Sequence, residues 1–138
     1  GEPQGLSRAL AASQMISVDM AHAIHPGFED KHDPQHPILL EQGPVIKTNA
    51  QKSYLTDSLL HAKVQSICQQ NNIPLQVFSS RSDMRCGSTI GPIQGAKSGI
   101  KTLDLGIAQL SMHASKEIMS CEDYLHLVKL LSYCLSEL

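Results

Sequence analysis

A carboxylate and two imidazoles follow a short apolar run near the start of the chain. The segment MISVDMAHAIHP, residues 15–26, contains Asp19, His22 and His25. Carboxylate oxygens and imidazole nitrogens are ligands that divalent metals such as zinc prefer in proteins. Asp19 is therefore either a metal ligand at a strand end or the polar residue at which the chain turns out of a sheet. Its position alone leaves both interpretations open.

A second candidate ligand, His113, lies in the loop after another predicted strand, KTLDLGIA. A single loop histidine is more often solvated than bound to a metal. In α/β proteins, however, ligands collect outside the carboxyl ends of the strands, so Asp19 and His113 can meet at one edge of a sheet. The pair, rather than either residue, favours a divalent-metal site.

Two further segments have the chemistry to bind an anionic group. Lys47 follows three apolar residues in GPVIKTN, so it is either an outward-facing strand residue or a cation that selects an anionic ligand group. The glycine-rich loop CGSTIGP, residues 86–92, leads into a helix. It is either a cradle of backbone N–H groups for a carboxylate or oxyanion, or a tight turn that requires glycine.

The patterns around the other histidines favour ordinary surface roles. His32 and His36 have the i, i+4 spacing of a helical zinc pair, but Pro34 lies between them and favours a polar loop. His61 and His126 lie in predicted helices, where we expect surface or boundary positions.

The cysteine pattern favours reduced thiols in a cytoplasmic protein. No C-x-x-C pair occurs among the four cysteines, Cys68, Cys86, Cys121 and Cys134. The spacing of a zinc knuckle is therefore missing, and packed thiols are a better interpretation than disulfides.

Composition restricts the class of protein. The chain has 138 residues, enough for one domain, and its 41% hydrophobic and 17% charged residues are typical of a globular fold. A net charge of -2 without a basic run argues against nucleic acid as a partner. No apolar run approaches the roughly 20 residues that cross a bilayer, so we expect no membrane association. The opening GEPQGLSRAL has neither the basic nor the apolar region of a secretion signal.

The candidate residues need strands and helices to position them. Apolar and β-branched runs predict strands at residues 15–21, 43–49, 75–80 and 101–108, with a long loop over 22–43. A helix with an apolar stripe of Leu60, Val64, Ile67 and Cys68 is predicted from Thr56–Asp57 to Asn71–Asn72, and a short helix over 92–98 that Gly99 ends. The alternation of strands and helices predicts an α/β fold with a mixed or parallel sheet covered by helices.

The last predicted helix begins after Ser120, with Asp123 as the partner in a capping box. Its spacing predicts one apolar face that packs on the sheet. That face comprises Tyr124, Leu127, Val128, Leu131, Cys134, Leu135 and Leu138.

Five segments, taken in order, resemble the aspartyl aminopeptidase family of cocatalytic zinc metallopeptidases. They are SVDMAHAIHP, KHDPQHP, GPVIKTN, RSDMRCGSTIGP and LDLGIAQLSMHASKE. The resemblance extends from about Ser7 to the end of the chain, and five segments in register make it specific where one would be weak.

The resemblance implies the mixed-sheet, phosphorylase/hydrolase-like catalytic domain of an enzyme that removes N-terminal Asp or Glu from peptides. Two zinc ions would lie at the carboxyl end of the strands, one bound by Asp19 and the other by His113. His22 and His25 match family positions but receive no metal role. The implied substrate-binding residues are Lys47, Tyr54, Gly87 and Thr89.

The resemblance also implies that part of the site lies elsewhere. The family's other ligands are a histidine, a bridging aspartate and a glutamate, and its general base is a second glutamate; all lie upstream of this sequence, as does an inserted oligomerisation domain. We therefore expect residues 1–138 to be the C-terminal portion of a catalytic domain. It would be inactive alone, and a homo-oligomer once joined to the missing N-terminal half. The alternatives are a non-catalytic binding or scaffold remnant and an unrelated small ligand-binding domain.

Overall fold

The computed structural model describes residues 4–49, 53–80, 83 and 87–138. The helices are α1 (Gly5–Ala12), α2 (Ser58–Gln70), α3 (Ile90–Ser98) and α4 (Cys121–Glu137). The strands are β1 (Gln14–Val18), β2 (Ala21–His22), β3 (Val45–Thr48), β4 (Gln76–Ser79), β5 (Lys101–Gly106), β6 (Ala108–Leu110) and β7 (Ile118–Met119). Most of the segment RSDMRC, including Cys86, lies outside the described residues.

The strands form two small sheets, which confirms the predicted α/β class with a mixed sheet. The larger sheet has the order β1-β5-β3-β4, in which β1 and β5 are parallel, β3 and β4 are parallel, and β3 and β5 are antiparallel. The smaller sheet has the order β2-β6-β7. No helix in the described part of the chain is long and apolar enough to cross a membrane.

Two of the predicted strands are each divided between the two sheets. The segment 15–21 leaves the larger sheet after Val18 and enters the smaller one at Ala21. The segment 101–108 does the same around Ile107, where β5 gives way to β6. Since β1 pairs with β5 and β2 with β6, the two chain segments bend together. Asp19 lies in the first of these bends.

Helix boundaries follow the local capping chemistry. The carboxylate of Asp57 accepts hydrogen bonds from the N–H groups of Leu59 and Leu60 and starts α2. Helix α3 starts two residues before the predicted range and ends at Gly99, whose φ of 70° suits glycine. The residues predicted to start and end α2 and the residue predicted to end α3 are thus confirmed, whereas the predicted start of α3 is two residues too late.

The two faces of the larger sheet contact different helices. Helices α2 and α4 cover the face that presents Ile46, Leu103 and Leu105. Their buried side chains complete this core. They are the predicted stripe of α2, Leu60, Val64, Ile67 and Cys68, and, on α4, Leu127, Leu130 and Cys134. Helix α3 contacts β5 and β1. On that side, the ideal Cβ position of Gly91 lies 2.5 Å from a carboxylate oxygen of Asp104.

The role predicted for Asp123 is wrong. Ser120 does accept a hydrogen bond from the N–H of Glu122 at the start of α4, but Asp123 is fully buried and bonds elsewhere. Its two carboxylate oxygens accept from the backbone N–H groups of Glu41, at 2.8 Å, and Gly43, at 2.6 Å. Both residues have positive φ, 65° and 85°, so Asp123 fixes a turn that leads into β3.

The predicted apolar face of α4 is also partly wrong. Because Asp123 is held inward, the buried residues of the helix are Asp123, Leu127, Leu130 and Cys134. Three residues of the predicted face are instead exposed: Tyr124 at 50%, Val128 at 45% and Leu135 at 90%. The buried face of the helix thus includes a carboxylate and is rotated away from the predicted apolar face.

We expect Asp123→Ala to lower the free energy of unfolding by about 2–4 kcal/mol, because it removes two charge-assisted hydrogen bonds and leaves a buried N–H group unpaired. Urea unfolding measures this effect. Glu122→Ala, at the exposed neighbouring position, is the control. A difference between the two variants below roughly 0.5 kcal/mol would contradict the assigned role.

The three cysteines in the described part of the chain are free thiols with different exposure. Cys68 and Cys134 are buried and Cys121 is exposed. Burial, together with the neighbouring thiol of Cys134, raises the pKa of Cys68 to about 11. Burial, together with the carboxylate of Glu137, raises the pKa of Cys134 to about 11. Neither buried thiol is therefore a reactive nucleophile near neutral pH.

We expect iodoacetamide at pH 8 to modify Cys121 in the native chain and to spare Cys68 and Cys134 until denaturant is added. Alkylation requires the accessible thiolate, which burial suppresses at both protected positions. Mass spectrometry of the proteolytic peptides measures the label at each site. Equal labelling of Cys68 and Cys121 in the native chain would contradict the structure.

Candidate metal and substrate site

Asp19 lies in the bend between the two sheets, with its side chain turned to solvent. Its N–H donates to the carbonyl of Leu105, at 2.9 Å, which continues the β1–β5 pairing into the bend. One carboxylate oxygen accepts from the N–H of Met20 at 2.8 Å. The side chain is 58% exposed, so the carboxylate remains accessible at the carboxyl end of β1.

Gly106 allows the bend at Asp19 to lie against β5. A Cβ atom at position 106 would overlap the backbone carbonyl of Asp19. A residue with a side chain at this position would therefore displace the candidate ligand. The requirement is for close approach of two backbones, which only glycine permits.

His113 lies in a tight turn that follows β6. Its φ of 69° and that of Ser111, 56°, are both in the left-handed region. The backbone N–H of His113 donates to the carboxylate of Glu117 at 2.6 Å, and the N–H of Ala114 donates to the carbonyl of Ser111 at 3.0 Å. The turn is thus fixed by its own hydrogen bonds, while the imidazole of His113 is exposed.

Lys47 is buried and reaches the bend at Asp19. It is 1% exposed, and its ammonium donates to the carbonyl of Met20 at 2.8 Å. The same Nζ lies 3.7 Å from a carboxylate oxygen of Asp19 and 5.4 Å from the ring centroid of Tyr54. The outward-facing alternative for this lysine is therefore wrong: Lys47 is held by a carbonyl, a carboxylate and an aromatic face.

One cavity of about 130 Å³ brings the predicted site residues together. Its walls include all six of them: Asp19, Lys47, Tyr54, Gly87, Thr89 and His113. The other lining residues are Met20, Ala21, His22, Phe78, Ser88 and Met112. The chemical role assigned to each of the six residues stays a prediction.

His22 lines this cavity although the sequence assigned it no role. Its pKa is lowered chiefly by burial and then by the nearby charges of His113 and Lys47, while Asp19 acts in the opposite direction. The pKa of His32 is also lowered, by burial and then by His22. The proximity of His22 to Asp19 in the sequence was the available signal, but spacing alone could not show that His22 lines the cavity.

The side chains of His25 and His36 contact residues of their own loops. The Nδ1 atom of His25 accepts from the N–H of Gly27 at 3.0 Å, and the ring contacts Phe28 at a centroid distance of 5.3 Å. His36 lies 2.7 Å from the carboxylate of Asp33. Neither histidine lines the cavity, so the polar-loop interpretation of His36 is confirmed.

A buried carboxylate that sequence reasoning missed lies behind the cavity wall. Asp104 is fully buried on β5, where one oxygen accepts from the hydroxyl of Thr89 at 2.6 Å. The other oxygen accepts from the N–H of Leu55 at 2.7 Å. An acidic residue inside the apolar strand KTLDLG was the signal that could have identified it.

The donor set fits part of a zinc site. A carboxylate, Asp19, and an imidazole, His113, are exposed on the wall of one cavity and are the donor types that zinc binds. Within residues 4–49, 53–80, 83 and 87–138, no group of three or more His, Cys, Asp or Glu side chains is placed to hold a metal ion. Further ligands would have to come from outside the described part of the chain.

Comparison with known proteins decides the family. Residues 2–133 match the family model of peptidase family M18, described as "Aminopeptidase I zinc metalloprotease (M18)". The chain belongs to the M18 peptidase family. A "Probable M18 family aminopeptidase 2" of Pseudomonas aeruginosa is 43% identical to it over 139 residues, which cover 99% of this chain and 32% of the relative.

Solved structures of M18 aminopeptidases share the fold. The Thermotoga maritima M18 aminopeptidase superposes with a TM-score of 0.81 and 27% identity, covering 91% of this chain and 29% of that one. The S. cerevisiae mApe1 dodecamer superposes with a TM-score of 0.84 and 27% identity, covering 99% of this chain and 30% of that one. The chain thus spans about a third of the length of the M18 relatives that it matches.

Proposed function

We propose that this chain is the C-terminal portion of the catalytic domain of an M18 metalloaminopeptidase that releases N-terminal Asp and Glu from peptides. The observation that carries the proposal is the shared cavity. It combines an accessible carboxylate and imidazole, Asp19 and His113, with a buried cation, Lys47. This chain joined to the upstream portion is called the complete enzyme.

We propose two zinc ions in the complete enzyme, with Asp19 a ligand of one and His113 a ligand of the other. The family's description as a zinc metalloprotease supports the metal. Zinc supplies a water of lowered pKa and polarises the scissile carbonyl. The remaining ligands and a general-base glutamate would come from the upstream portion. In this chain, Glu117 holds the turn of His113, and Gly106 allows the bend of Asp19.

Lys47 would bind the acidic side chain of the first substrate residue. The carbonyl of Met20 and the ring of Tyr54 hold its ammonium at the cavity wall. A substrate carboxylate in the cavity would be a further partner of the Lys47 ammonium, whereas a neutral side chain would gain no electrostatic attraction to it. Gly87 and Thr89, which also line the cavity, would supply backbone or hydroxyl groups to the substrate.

The outer edge of β1 supports docking of an upstream portion. In the described part of the chain, β1 pairs only with β5, so its other edge carries no strand. Cavities of about 550 Å³ and about 460 Å³ are lined in part by residues of β1. Apolar side chains there are exposed, including Val18 at 48%, Ile90 at 69% and Ile93 at 55%. An added strand with apolar neighbours would cover this surface.

We propose that the complete enzyme is a homo-oligomer. The support comes from a relative, since the structure of S. cerevisiae mApe1 is described as a dodecamer. The exposed apolar residues of α4, Tyr124, Val128 and Leu135, provide surface that an assembly could bury.

Lys47→Met in the complete enzyme should reduce kcat/KM for peptides with N-terminal Asp or Glu by at least about tenfold, roughly 1.4 kcal/mol. Activity on Leu peptides should change far less, because methionine nearly keeps the length of the side chain and removes its charge. Hydrolysis of aspartyl and leucyl p-nitroanilides measures the ratio.

Lys63→Met is the matched control, since Lys63 is exposed on α2 and does not line this cavity. Equal losses on acidic and neutral substrates in Lys47→Met would show that Lys47 is structural. Tight binding of acidic peptides without hydrolysis would instead favour the non-catalytic scaffold.

A further inference from the structure

Asp104 connects the two segments that form one side of the cavity. Its carboxylate accepts from Thr89, which precedes α3, and from Leu55, which follows Tyr54. Its own N–H donates to the hydroxyl of Thr56 at 3.3 Å. Tyr54 and Thr89 both line the cavity, and Asp104 does not. A buried acidic residue thus holds two cavity segments from behind.

The same network reaches Lys47. The hydroxyl of Thr56 donates to the carbonyl of Lys47 at 2.7 Å. Hydrogen bonds therefore fix three parts of the chain relative to Asp104: the segment that contains Leu55, the segment that contains Thr89, and strand β3. Because a buried carboxylate is costly to place in a protein interior, its two donors, Thr89 and Leu55, stabilise it there.

The hydrogen bond to Asp104 sets the direction of the Thr89 hydroxyl. A carboxylate offers only lone pairs, so the proton of Thr89 must point to Asp104. The hydroxyl group can then offer lone pairs, but no proton, to a ligand in the cavity. Thr89 is the N-cap residue of α3, but its side chain makes no capping hydrogen bond and donates to Asp104 instead. Thr89 can therefore accept a hydrogen bond from a ligand but cannot donate one.

We infer that Asp104 is a positioning residue that fixes Thr89 as the acceptor for the α-amino group of the substrate. The inference rests on the proposed aminopeptidase function, since the free α-amine is the N–H donor that every such substrate carries. Among the other polar groups that line the cavity, Lys47 is a cation that an ammonium group avoids, and Asp19 and His113 are already assigned to the zinc ions under the proposed function. A hydroxyl oxygen that presents only lone pairs is the complementary partner.

The first test is the isosteric variant Asp104→Asn in this chain. Its amide oxygen can keep the bond from Leu55, but its NH₂ group then faces Thr89 and forces the hydroxyl to accept. The Thr89 proton would turn to the cavity. NMR of the wild-type chain should show a slowly exchanging Thr89 hydroxyl proton, and the variant should lose it. Fast exchange in the wild type, or slow exchange in both proteins, would overturn the inference.

The second test compares two ligands in the complete enzyme, aspartate and succinate, which lacks the α-amine. Asp104→Asn and Thr89→Val should each weaken inhibition by aspartate at least about tenfold and leave inhibition by succinate within about twofold. Thr89→Ser, which keeps the hydroxyl, should behave as the wild type. Equal losses for both ligands would show a merely structural role for Asp104, and no loss for either would remove Thr89 from the amine site.

A separate assay shows whether the proposed substrate class is wrong. A panel of aminoacyl p-nitroanilides shows which amino acid the wild-type enzyme releases fastest. If this amino acid is not Asp or Glu, the proposed acidic specificity is wrong. The inhibition test of Asp104→Asn and Thr89→Val is then made with the preferred amino acid and with its analogue that lacks the α-amine. The hydroxyl-exchange experiment on this chain requires no catalytic activity and tests Asp104 in either case.

Discussion

Asp19→Ala and His113→Ala should each reduce aminopeptidase activity of the complete enzyme by more than about 100-fold, since even the residues that orient metal ligands contribute 10–100-fold. Both side chains are exposed and line one cavity, so their truncation opens no void in the core. We therefore expect loss of bound zinc, while the melting temperature measured without metal stays that of the metal-free wild type. Metal analysis and a thermal melt of each variant measure these two quantities.

The controls for these variants are an exposed carboxylate and an exposed imidazole away from the cavity. Asp30→Ala and His36→Ala meet this requirement, and both should keep full zinc content and activity. Undiminished turnover and full metal content in Asp19→Ala or His113→Ala would remove that residue from the site.

The 138-residue chain alone should release no amino acid from peptides, whereas the complete enzyme should. A catalytic zinc takes about three protein ligands and a water, and this chain is proposed to supply one ligand for each ion. The general-base glutamate is also proposed to lie upstream. Incubation of the purified chain with zinc and an aspartyl p-nitroanilide measures the activity.

The chain carrying Asp19→Ala is the control for contaminating peptidases. Activity that appears in the wild-type chain and disappears in this variant would contradict the prediction, because it would mean that the chain forms a working site by itself. Equal traces in both preparations would identify a contaminant.

The sequence predicted the elements of the fold where local chemistry is strong. Asp57 and Gly99 mark helix ends because each satisfies backbone groups directly, and the α2 stripe follows from the helical period. The division of two strands between sheets was missed. It depends on the approach of Asp19 to Gly106, which are 87 residues apart in the sequence.

Buried polar residues account for the other differences. Spacing on α4 suggested an apolar face through Tyr124 and Val128, but the helix instead buries Asp123, whose carboxylate accepts hydrogen bonds from the N–H groups of Glu41 and Gly43. These partners lie 82 and 80 residues apart in the sequence, so no local pattern could predict them.

The grouping of Asp19 and His113 at one cavity was predictable because both residues follow strands, whereas Lys47 lies within β3. Asp19 and His113 were found by that position, and the cavity that contains them also contains the residues that the resemblance supplied. Asp104 was not found, since a carboxylate within an apolar strand has no signature until its donors, Thr89 and Leu55, are seen beside it.

The most direct test of the central claim is the zinc-dependent release of aspartate and leucine by the complete enzyme. We predict that the enzyme treated with a chelator is inactive and that added zinc restores activity. We also predict that aspartyl p-nitroanilide is hydrolysed at least about tenfold more efficiently than leucyl p-nitroanilide, as expected when a buried lysine meets a carboxylate. Activity that survives complete removal of metal, or a preference for leucine, would contradict the proposed function.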